Sequence, residues 1–503
     1  MKKTVFLLSG LILFLSACNK NDDDSGDNTG DVVLESEINK FIWEGLNHWY
    51  YWQPDVINLV DTKNDDLNGF NTYLNSYNSP ESLFDDLVYT SKDDFSWYIE
   101  DVAEQINSFN GISTSYGITR GPLVQVFGTN NVVQVVAYTS PNSPAAIAGI
   151  KRGDIIAKVD GTILTTENYL LINNLYTEEN LTLGFATVSE DNTVTQTNEV
   201  SLTAETVSTD PVHYTSIIEE GGKKVGYLVY NGFRGTYNGE LNDAFAEFKT
   251  ANIDELILDF RYNGGGSVLT SALLASMVNG SVPAESNAAI FAKLTYNAKR
   301  NADNGSVYPF FDNVYLYNKT SGDYEGSTAM NRLSNISKLY VITSERTASA
   351  SEMIINGLRP YMPVITIGET TVGKNEGSIT VVDAPKGNND EPFTDADNRS
   401  TKHTIGMQPI VFQIFNAEDS NDYNDGFIPK VEIKEFEYYK NIKPFGDTNE
   451  ALLRATLDEI LGTTGKYDLQ KDTDATVLTK GVSSPKFSSE MYIMPNDIKP
   501  TNK

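Results

Sequence analysis

An almost entirely apolar run that ends in three glycines lies near the middle of the chain: Glu255-Leu256-Ile257-Leu258-Asp259-Phe260-Arg261-Tyr262-Asn263-Gly264-Gly265-Gly266. Its first half is typical of a strand buried on both faces, and the glycines predict a sharp turn out of that strand. Residues 225–230 predict another strand, and residues 240–249 predict an amphipathic helix between the two. This order indicates a βαβ unit, so the chain is predicted to contain an α/β core with a parallel sheet.

The α/β pattern extends over residues 222–462. A helix is predicted at 268–278, directly after the glycines, and a strand at 339–343 leads into a helix at 350–358. The polar segment 280–335 is rich in Asn and Tyr and is predicted to be an insertion that shapes a substrate cleft. Reactive groups of such a core are expected at the carboxyl ends of its strands.

A turn between the third predicted strand and its helix reads Thr347-Ala348-Ser349-Ala350-Ser351-Glu352. Ser349 is expected at the N-terminus of the helix, where unpaired backbone N–H groups and the helix dipole can stabilise the oxyanion of an acyl-transfer intermediate. Ser349 is therefore a candidate nucleophile. The spacing of Ser349 and Glu352 also fits a helix capping box, and the residues alone leave both interpretations open.

A serine nucleophile needs a general base, which is most often histidine. The chain has three histidines, His48, His213 and His403, and each lies in a segment without a recognisable catalytic pattern. Lysine can replace histidine where burial lowers the pKa of its amine. Lys374 is the candidate base, because it follows an apolar strand at 364–368 and a glycine that can turn the amine inward. A Gly-Lys pair in a loop is also the ordinary pattern of a solvated surface lysine.

Residues 111–205 contain short alternating strands and turns of small residues. Strands are predicted at 124–126 and 132–136, upstream of the segment Ser143-Pro144-Ala145-Ala146-Ile147-Ala148-Gly149-Ile150-Lys151-Arg152-Gly153-Asp154-Ile155-Ile156. This pattern closely resembles a PDZ domain, a β-rich fold that binds a peptide as an added strand and holds its terminal carboxylate on backbone N–H groups. The candidate carboxylate loop, for which a plain turn is the alternative, comprises Tyr116, Gly117 and Ile118.

Ser349 and Lys374 are 25 positions apart, and the lysine ends the motif Gly368-Glu369-Thr370-Thr371-Val372-Gly373-Lys374. Together with the strand and glycine turn quoted above, and with Gly446-Asp447-x-Asn449-Glu450, these motifs resemble the C-terminal processing (tail-specific) peptidases over most of residues 35–462. The resemblance implies a crotonase-like α/β peptidase core with a PDZ-like domain upstream. It also implies that Ser349 is the nucleophile and Lys374 the general base of a serine endopeptidase that cuts polypeptides near their C-termini.

The resemblance further implies an oxyanion hole made by the backbone N–H groups of Ala350 and of either Gly265 or Gly266. One position departs from the family pattern. Many relatives carry a glutamine four residues after the lysine, whereas this chain has Ser378, an auxiliary hydrogen-bonding group of shorter reach. Glu376, beside the lysine, is expected to hold its amine in the charged form.

Residues 35–100 show helical periodicity and predict a small N-terminal helical domain. Aromatic side chains crowd one part of it: Trp43, Trp49, Tyr50, Tyr51 and Trp52. Such a cluster is most often part of a hydrophobic core, although it can also bind a sugar or a peptide.

Residues 1–17 have the pattern of a signal peptide, with two lysines and an apolar run that is too short to span a bilayer. Cys18, the single cysteine, follows Leu-Ser-Ala and resembles the lipidated cysteine of a bacterial lipoprotein. Residues 18–34 predict a disordered tether. Its acidic run at residues 22–24 resembles a surface-export signal of the Bacteroides group, or is a charged linker. The chain is thus expected to be exported and lipid-anchored in the outer membrane, facing the periplasm or the cell surface.

The chain has 503 residues, is 40% apolar and carries a formal charge of −30. Such a charge repels phosphate and disfavours nucleic acid as a partner, so we expect polypeptides with accessible C-termini as partners and a membrane contact through the lipid alone. No metal or organic cofactor is implied. Residues 463–503 are weakly patterned and receive no predicted role. Two rival hypotheses stay open: a catalytically silent peptide-binding lipoprotein, and a glycan-binding one that uses the Trp/Tyr cluster.

Overall fold

The computed structural model of the chain describes residues 31–285, 289–386, 391–463, 471–472, 475–483 and 490–494. The predicted signal peptide, Cys18 and most of the predicted tether lie outside the described residues. Among the residues that are described, no helix has the length and apolar character that a membrane span requires.

The N-terminal region is helical, as predicted. Its helices and 3₁₀ turns are Glu37–Trp49, Gln53–Asp55, Ile57–Leu59, Asp61–Asn64, Leu67–Asn75, Pro80–Leu87 and Val102–Phe109. Trp43, Trp49, Tyr50 and Trp52 are each 5% exposed or less and belong to the largest hydrophobic core. These four rings therefore offer no open face on which a saccharide could stack, and the core interpretation of the cluster holds for them.

The α/β region is built on a six-stranded sheet with the strand order Val212–Glu220, Lys223–Tyr230, Glu255–Asp259, Leu339–Thr343, Val364–Gly368 and Val431–Glu432. The first pair is antiparallel and the other pairs are parallel. Side chains alternate between two layers, because Leu258 lies in the core that includes the helices Asn238–Ala251, Val268–Val278 and Ala350–Leu358, and Ile257 in the core that includes Ala451–Leu461. The parallel, buried sheet agrees with the prediction.

A second six-stranded sheet packs beside this core. Its strand order is Gly266–Ser267, Met491–Ile493, Glu376–Ile379, Ile410–Phe415, Ile290–Tyr296 and Ser306–Pro309. The remaining elements near it are the helix Asn301–Asn304, the hairpin Asn313–Tyr317 with Tyr324–Ala329, and a small sheet of Trp97–Ile99, Gly406–Gln408 and Val381–Val382. This sheet brings the glycine turn and the segment after Lys374 onto the two sides of one strand, Met491–Ile493.

Residues 111–205 form a β-rich region. Its main sheet has the order Thr476–Val477, Ile118–Gln125, Val132–Thr139, Ile155–Val159, Asn180–Val188 and Val194–Thr203, with Thr162–Ile163 paired to Ile155–Val159. The helices here are Pro144–Ile147 and the 3₁₀ helix Tyr169–Tyr176, and Ile112–Ser115 pairs with Glu205–Ser208. Two further 3₁₀ helices, Gly235–Tyr237 and Glu435–Asn441, belong to the α/β region.

The C-terminal tail contributes a strand to each of two sheets, although its sequence is weakly patterned. Thr476–Val477 is an edge strand of the β-rich region, and Met491–Ile493 is an interior strand of the second sheet. A strand of two or three residues carries too little periodicity to be recognised from sequence. The sequence assigned no role to residues 463–503. The described part of this tail supplies these two strands.

Candidate active site

Ser349 stands between the strand Leu339–Thr343 and the helix Ala350–Leu358, which has the predicted bounds. Its backbone has φ +63° and ψ −117°, a conformation that non-glycine residues rarely adopt. The side chain is fully buried and its Oγ has no hydrogen-bond partner among the described residues. A strained backbone and an unsatisfied buried hydroxyl both cost free energy, and such costs are concentrated at functional sites.

Hydrogen bonds to the segment that leads into the glycine turn hold the turn of Ser349 in place. Thr347 Oγ1 donates a hydrogen bond to the Phe260 carbonyl at 2.8 Å, and Ser351 Oγ donates to the Asn263 carbonyl at 3.1 Å. Ala350 is the first residue of the helix, and no described residue accepts a hydrogen bond from its N–H. The helix thus presents a free backbone donor next to the serine.

Glu352 joins Ser349 to the loop of Lys374. Its Oε2 accepts the N–H of Ser349 at 2.8 Å and the N–H of Lys374 at 2.9 Å. Its Oε1 accepts the N–H of Gly373 and the hydroxyl of Thr371, both at 2.6 Å. Half of the expected capping box is present, since Glu352 binds the Ser349 N–H, while the serine hydroxyl stays unpaired. Burial raises the pKa of Glu352 to about 7, although the four donors act to lower it.

Lys374 is fully buried, which contradicts the interpretation of a solvated surface lysine. Its Nζ lies 4.6 Å from the centre of the Phe95 ring and 2.8 Å from Oε2 of Glu490. Phe95 comes from the N-terminal helical region and Glu490 from the C-terminal tail. The Lys374 amine therefore contacts one side chain from the N-terminal helical region and one from the C-terminal tail.

The glycine turn approaches Ser349 closely. Gly265 has φ +117°, and a Cβ built on it would lie 2.7 Å from the Ser349 Cβ and would also collide with the carbonyl oxygen of Glu490. The Gly265 N–H donates to Asn263 Oδ1 at 2.9 Å. Phe233 binds the Gly265 carbonyl and the Ser267 N–H, so the N–H of Gly266 points to the other side of its strand, toward Met491–Ile493. Gly266 rather than Gly265 therefore offers its N–H to the cleft.

Ser378 and Glu376 follow Lys374 in the strand Glu376–Ile379. Ser378 Oγ donates to the carbonyl of Met491 at 3.0 Å and accepts from Gln408 at 3.0 Å. Burial raises the pKa of Glu376 to about 8, with a further increase from Asp93, while Lys374 lowers it. The carboxylate that forms the ion pair with Lys374 is Glu490. Lys374 therefore faces two carboxyl groups, Glu490 in direct contact and Glu376 through the charge interaction that lowers the pKa of Glu376, and the expectation that Glu376 acts on the amine stays a prediction.

The candidate carboxylate loop is tightly packed. Tyr116 is 2% exposed, with its hydroxyl on the Glu178 carbonyl, so its side chain belongs to the core of the β-rich region. Gly117 has φ +74°, and a Cβ on it would collide with Ser143. Ile118 begins the strand Ile118–Gln125, to which the tail strand Thr476–Val477 is paired. The structure thus places a peptide strand on this edge, and that strand is part of the same chain.

The three histidines each have contacts away from Ser349. His48 lies 3.1 Å from an Arg300 nitrogen, His213 packs on Tyr138, and His403 lies 3.2 Å from Asp383. Burial lowers the pKa of both His48 and His213 to about 4. Within the described residues no group of three or more His, Cys, Asp or Glu side chains is arranged to hold a metal ion.

Four residues of the site were missed as functional residues from the sequence: Glu352, Asn263, Phe95 and Glu490. The first two belong to quoted motifs, Ser-x-x-Glu and Asn-Gly-Gly-Gly, so a signal for them was present. Phe95 and Glu490 lie far from those motifs in the chain and carry no local pattern. Only the fold brings them to Lys374.

Residues 224–388 match Peptidase family S41, and residues 37–97 match the Peptidase S41 N-terminal domain. The chloroplastic C-terminal processing peptidase of Tetradesmus obliquus is 26% identical over 50% of this chain and 50% of its own length. A CtpA-like serine protease of Staphylococcus aureus (strain COL) is 24% identical over 73% of this chain and 62% of its own. The chain therefore spans between half and two thirds of the length of these curated relatives.

Among solved structures, a Bacteroides fragilis protein named as an S41 protease superposes with a TM-score of 0.64. It is 27% identical and covers 84% of this chain and 97% of its own. The similarity thus includes most of both folds.

Proposed function

Because this chain belongs to the family of C-terminal processing peptidases, peptidase family S41, we propose that it is a serine endopeptidase that cuts polypeptides near their C-termini. Ser349 is the nucleophile and Lys374 the general base. One observation carries this assignment: the backbones of two buried residues, a serine and a lysine, are held by the same carboxylate of Glu352. A structural serine and a surface lysine would need no such common support.

In the proposed acylation step, Ser349 Oγ attacks the carbonyl carbon of the substrate while the neutral amine of Lys374 takes the hydroxyl proton. The N–H groups of Ala350 and Gly266 stabilise the oxyanion. The protonated amine then gives its proton to the leaving nitrogen, and an ester to Ser349 remains. A water molecule that loses a proton to Lys374 hydrolyses the ester and restores the serine.

Ser378 has a positioning role in this proposal. Its hydroxyl binds the carbonyl of the strand Met491–Ile493, which lies in the cleft between the glycine turn and the strand Glu376–Ile379. A substrate in the same cleft would present a carbonyl at the same place. Ser378 thus supports substrate backbone, whereas an orienting contact to the Lys374 amine was the expectation from the sequence.

The architecture is proposed to be a crotonase-like core with a PDZ-like domain at residues 111–205. Support for the second part comes from the strand Ile118–Gln125, which begins at the candidate carboxylate loop and pairs antiparallel with a tail strand at its other end, at Val124 and Gln125. The chain is further proposed to be an exported lipoprotein, on the strength of the leader pattern and Cys18.

The test is cleavage of unstructured polypeptides with apolar C-termini, followed by mass spectrometry. We expect slow cutting by the unaltered protein and a loss of at least about a thousandfold in Ser349→Ala and Lys374→Ala, as for removal of a nucleophile or its base. Ser337→Ala, at an exposed serine before the strand Leu339–Thr343, is the matched control and should cut at the unaltered rate. If all the folded variants cut alike, the dyad is wrong, and the silent peptide-binding hypothesis replaces it.

A further inference from the structure

Residues 475–483 and 490–494 of the C-terminal tail lie along one path from the β-rich region to Ser349. The first part pairs Thr476 with Gln125 and Val477 with Val124, antiparallel to the strand that follows the candidate carboxylate loop. The Leu478 N–H continues this ladder to the Leu123 carbonyl at 2.9 Å. Backbone pairing of this kind is how a sheet edge accepts a peptide independently of its sequence.

Side chains of the β-rich region hold the next residues of the tail by their backbone. Tyr169 Oη donates to the Lys480 carbonyl at 2.8 Å, and Asn173 Nδ2 donates to the Gly481 carbonyl at 2.9 Å. Ser483 donates its N–H to Asn173 and accepts a hydrogen bond from Arg120 through its carbonyl. Leu478 and Val482 pack against the core of the region. The contacts are those of a bound peptide: backbone hydrogen bonds plus two apolar side chains, Leu478 and Val482, that pack on the core.

The second part of the tail fills the cleft at Ser349. Met491–Ile493 is parallel to Gly266–Ser267 on one side and to Glu376–Ile379 on the other. Met491 and Tyr492 are buried, and the Tyr492 ring stacks on Phe109 at 3.8 Å. The carbonyl oxygen of Glu490 and the Cβ of Ser349 both lie within 3 Å of the point that a Cβ on Gly265 would occupy, and the N–H of Gly266 points toward the same strand. A backbone carbonyl of the tail is thus close to the proposed nucleophile and to the proposed oxyanion donor Gly266.

Glu490 also pairs with Lys374, the proposed general base. Its carboxylate lies 2.8 Å from Lys374 Nζ, so the amine that would have to accept the serine proton is already held by another partner. Burial raises the pKa of Glu490 to about 7, and Lys374 opposes that shift. The tail thus sets a carbonyl beside the nucleophile while the amine that must activate the nucleophile is engaged.

We propose that the segments 475–483 and 490–494 act as an intramolecular pseudosubstrate, which marks the path of an extended polypeptide substrate and keeps the peptidase latent until the tail is displaced. This inference rests on the proposed function for its catalytic part. The occupant of both grooves is this chain's own tail, and the substrate class it points to is an extended, backbone-recognised polypeptide with apolar side chains at the positions of Met491 and Tyr492.

The test compares the full-length protein with Tyr492→Ala, which loses the ring stacked on Phe109, and with Glu490→Gln, which keeps the shape of the side chain but leaves Lys374 without its carboxylate. Ile57→Ala, at an exposed apolar residue of the N-terminal helical region, is the control. We expect about tenfold faster cleavage of an unstructured polypeptide by each tail variant, the order of effect of losing one buried aromatic contact, and no change in the control. Unchanged or slower cleavage by both folded tail variants would overturn the proposal.

Binding provides a readout that does not depend on catalysis. In a Ser349→Ala background, a labelled peptide with the sequence of residues 475–494 is expected to bind the Tyr492→Ala chain about tenfold more tightly than the chain with an unaltered tail, because the weakened tail competes less. A scrambled peptide should bind neither. If the labelled peptide binds both chains equally, or binds neither, the pseudosubstrate proposal is wrong.

The two failures can be told apart. If the peptide binds the two chains differently but no chain cleaves the polypeptide, the tail does occupy the groove and the peptidase assignment is rejected. If the protein cleaves the polypeptide and the tail variants do not cleave it faster, the peptidase assignment stands and the pseudosubstrate is rejected.

Discussion

At Glu352 a single buried carboxylate contacts both halves of the proposed active site. It accepts hydrogen bonds from the N–H groups of Ser349, Gly373 and Lys374 and from the Thr371 hydroxyl, and it donates none in its ionised form. None of these four donors is the Ser349 hydroxyl or the Lys374 amine, so the role proposed for Glu352 is to position the residues that act. A neutral amide at this place would turn an N–H₂ group toward two other donors.

Glu352→Gln is therefore expected to lower kcat by about a hundredfold while KM changes by less than about threefold, because a loss of positioning acts on the chemical step. Steady-state kinetics with a short peptide substrate measures the split. The conservative Glu352→Asp should recover part of kcat, since it restores two acceptor oxygens at shorter reach. A rise in KM with unchanged kcat would show instead that Glu352 serves substrate binding.

At the residue scale the sequence identified the groups that belong to short, dense motifs. Ser349 and Lys374 are recognisable because glycines, small residues and a buried strand surround each of them within a few positions. Glu490 is 116 positions from Lys374, in a segment without periodicity, and nothing local distinguishes it from an exposed glutamate. Its role depends on a long-range pairing that only the folded chain defines.

At the scale of elements, Arg261 explains why two distant motifs occur together. It lies just beyond the strand Glu255–Asp259, and its guanidinium binds Glu450 at 2.7 Å and Glu435 at 2.9 Å. Asp259 and Arg152 complete the cluster, with Arg152 2.6 Å from Glu435. The motif that ends in Gly264-Gly265-Gly266 and the motif that ends in Glu450 are thus two sides of one buried charge network.

Replacing Arg261 by leucine is expected to destabilise the protein by about 3–5 kcal/mol at pH 7, because it leaves Asp259 and Glu450 buried with a partner removed. Urea unfolding measures this. Lys430→Leu removes a surface ion pair with Glu459 and should cost less than about 1 kcal/mol. A loss no larger than that of the control would mean that the network contributes nothing.

The pH dependence of this difference has a definite sign. Burial would raise the pKa of Glu435, but Arg152 and Arg261 lower it to about 2, below the value near 4.5 expected when the chain is unfolded. Its stabilising contribution is therefore complete above about pH 4.5 and is lost as the pH falls through about 2. In the leucine variant the stranded carboxylates take up protons at higher pH, so the gap between the two proteins should narrow from pH 7 to pH 4.

Regular elements of the core were predicted closely, because their burial pattern is local. The strand Leu339–Thr343 and the helix Ala350–Leu358 have the predicted bounds, and the helix expected at 240–249 is Asn238–Ala251. The two tail strands were missed, since Thr476–Val477 and Met491–Ile493 are short and their partners lie hundreds of positions away. Pairing of that kind leaves no period in the sequence.

At the scale of the molecule, two arginines are among the contacts that attach the β-rich region to the α/β core. Arg346, three residues before Ser349, donates hydrogen bonds to the carbonyls of Arg120 and Gly121. Arg152 reaches across to the charge network of Arg261. Arg346 and Arg152 thus join the proposed peptide-binding strand to the turn of Ser349 and to the charge network, contacts that the order of modules in the sequence did not predict.

The proposed membrane anchor also belongs to this scale. Cells that produce Cys18→Ser should release the protein into the soluble fraction, whereas Asp24→Asn, a nearby change that keeps the cysteine, should leave it with the membrane. Fractionation and the mass of the N-terminal fragment measure both. Retention of the serine variant in the membrane would reject lipidation as the means of attachment.

The position of the tail strand between Gly266–Ser267 and Glu376–Ile379 has a consequence for substrate choice. A tethered competitor acts at an effective concentration of the order of millimolar, far above that of most cellular polypeptides. A polypeptide that binds only the cleft cannot displace the tail at ordinary cellular concentrations. One that engages both the β-rich region and the cleft gains its own avidity and can. Latency would then work as a filter, admitting only polypeptides long and extended enough to span both sites at once.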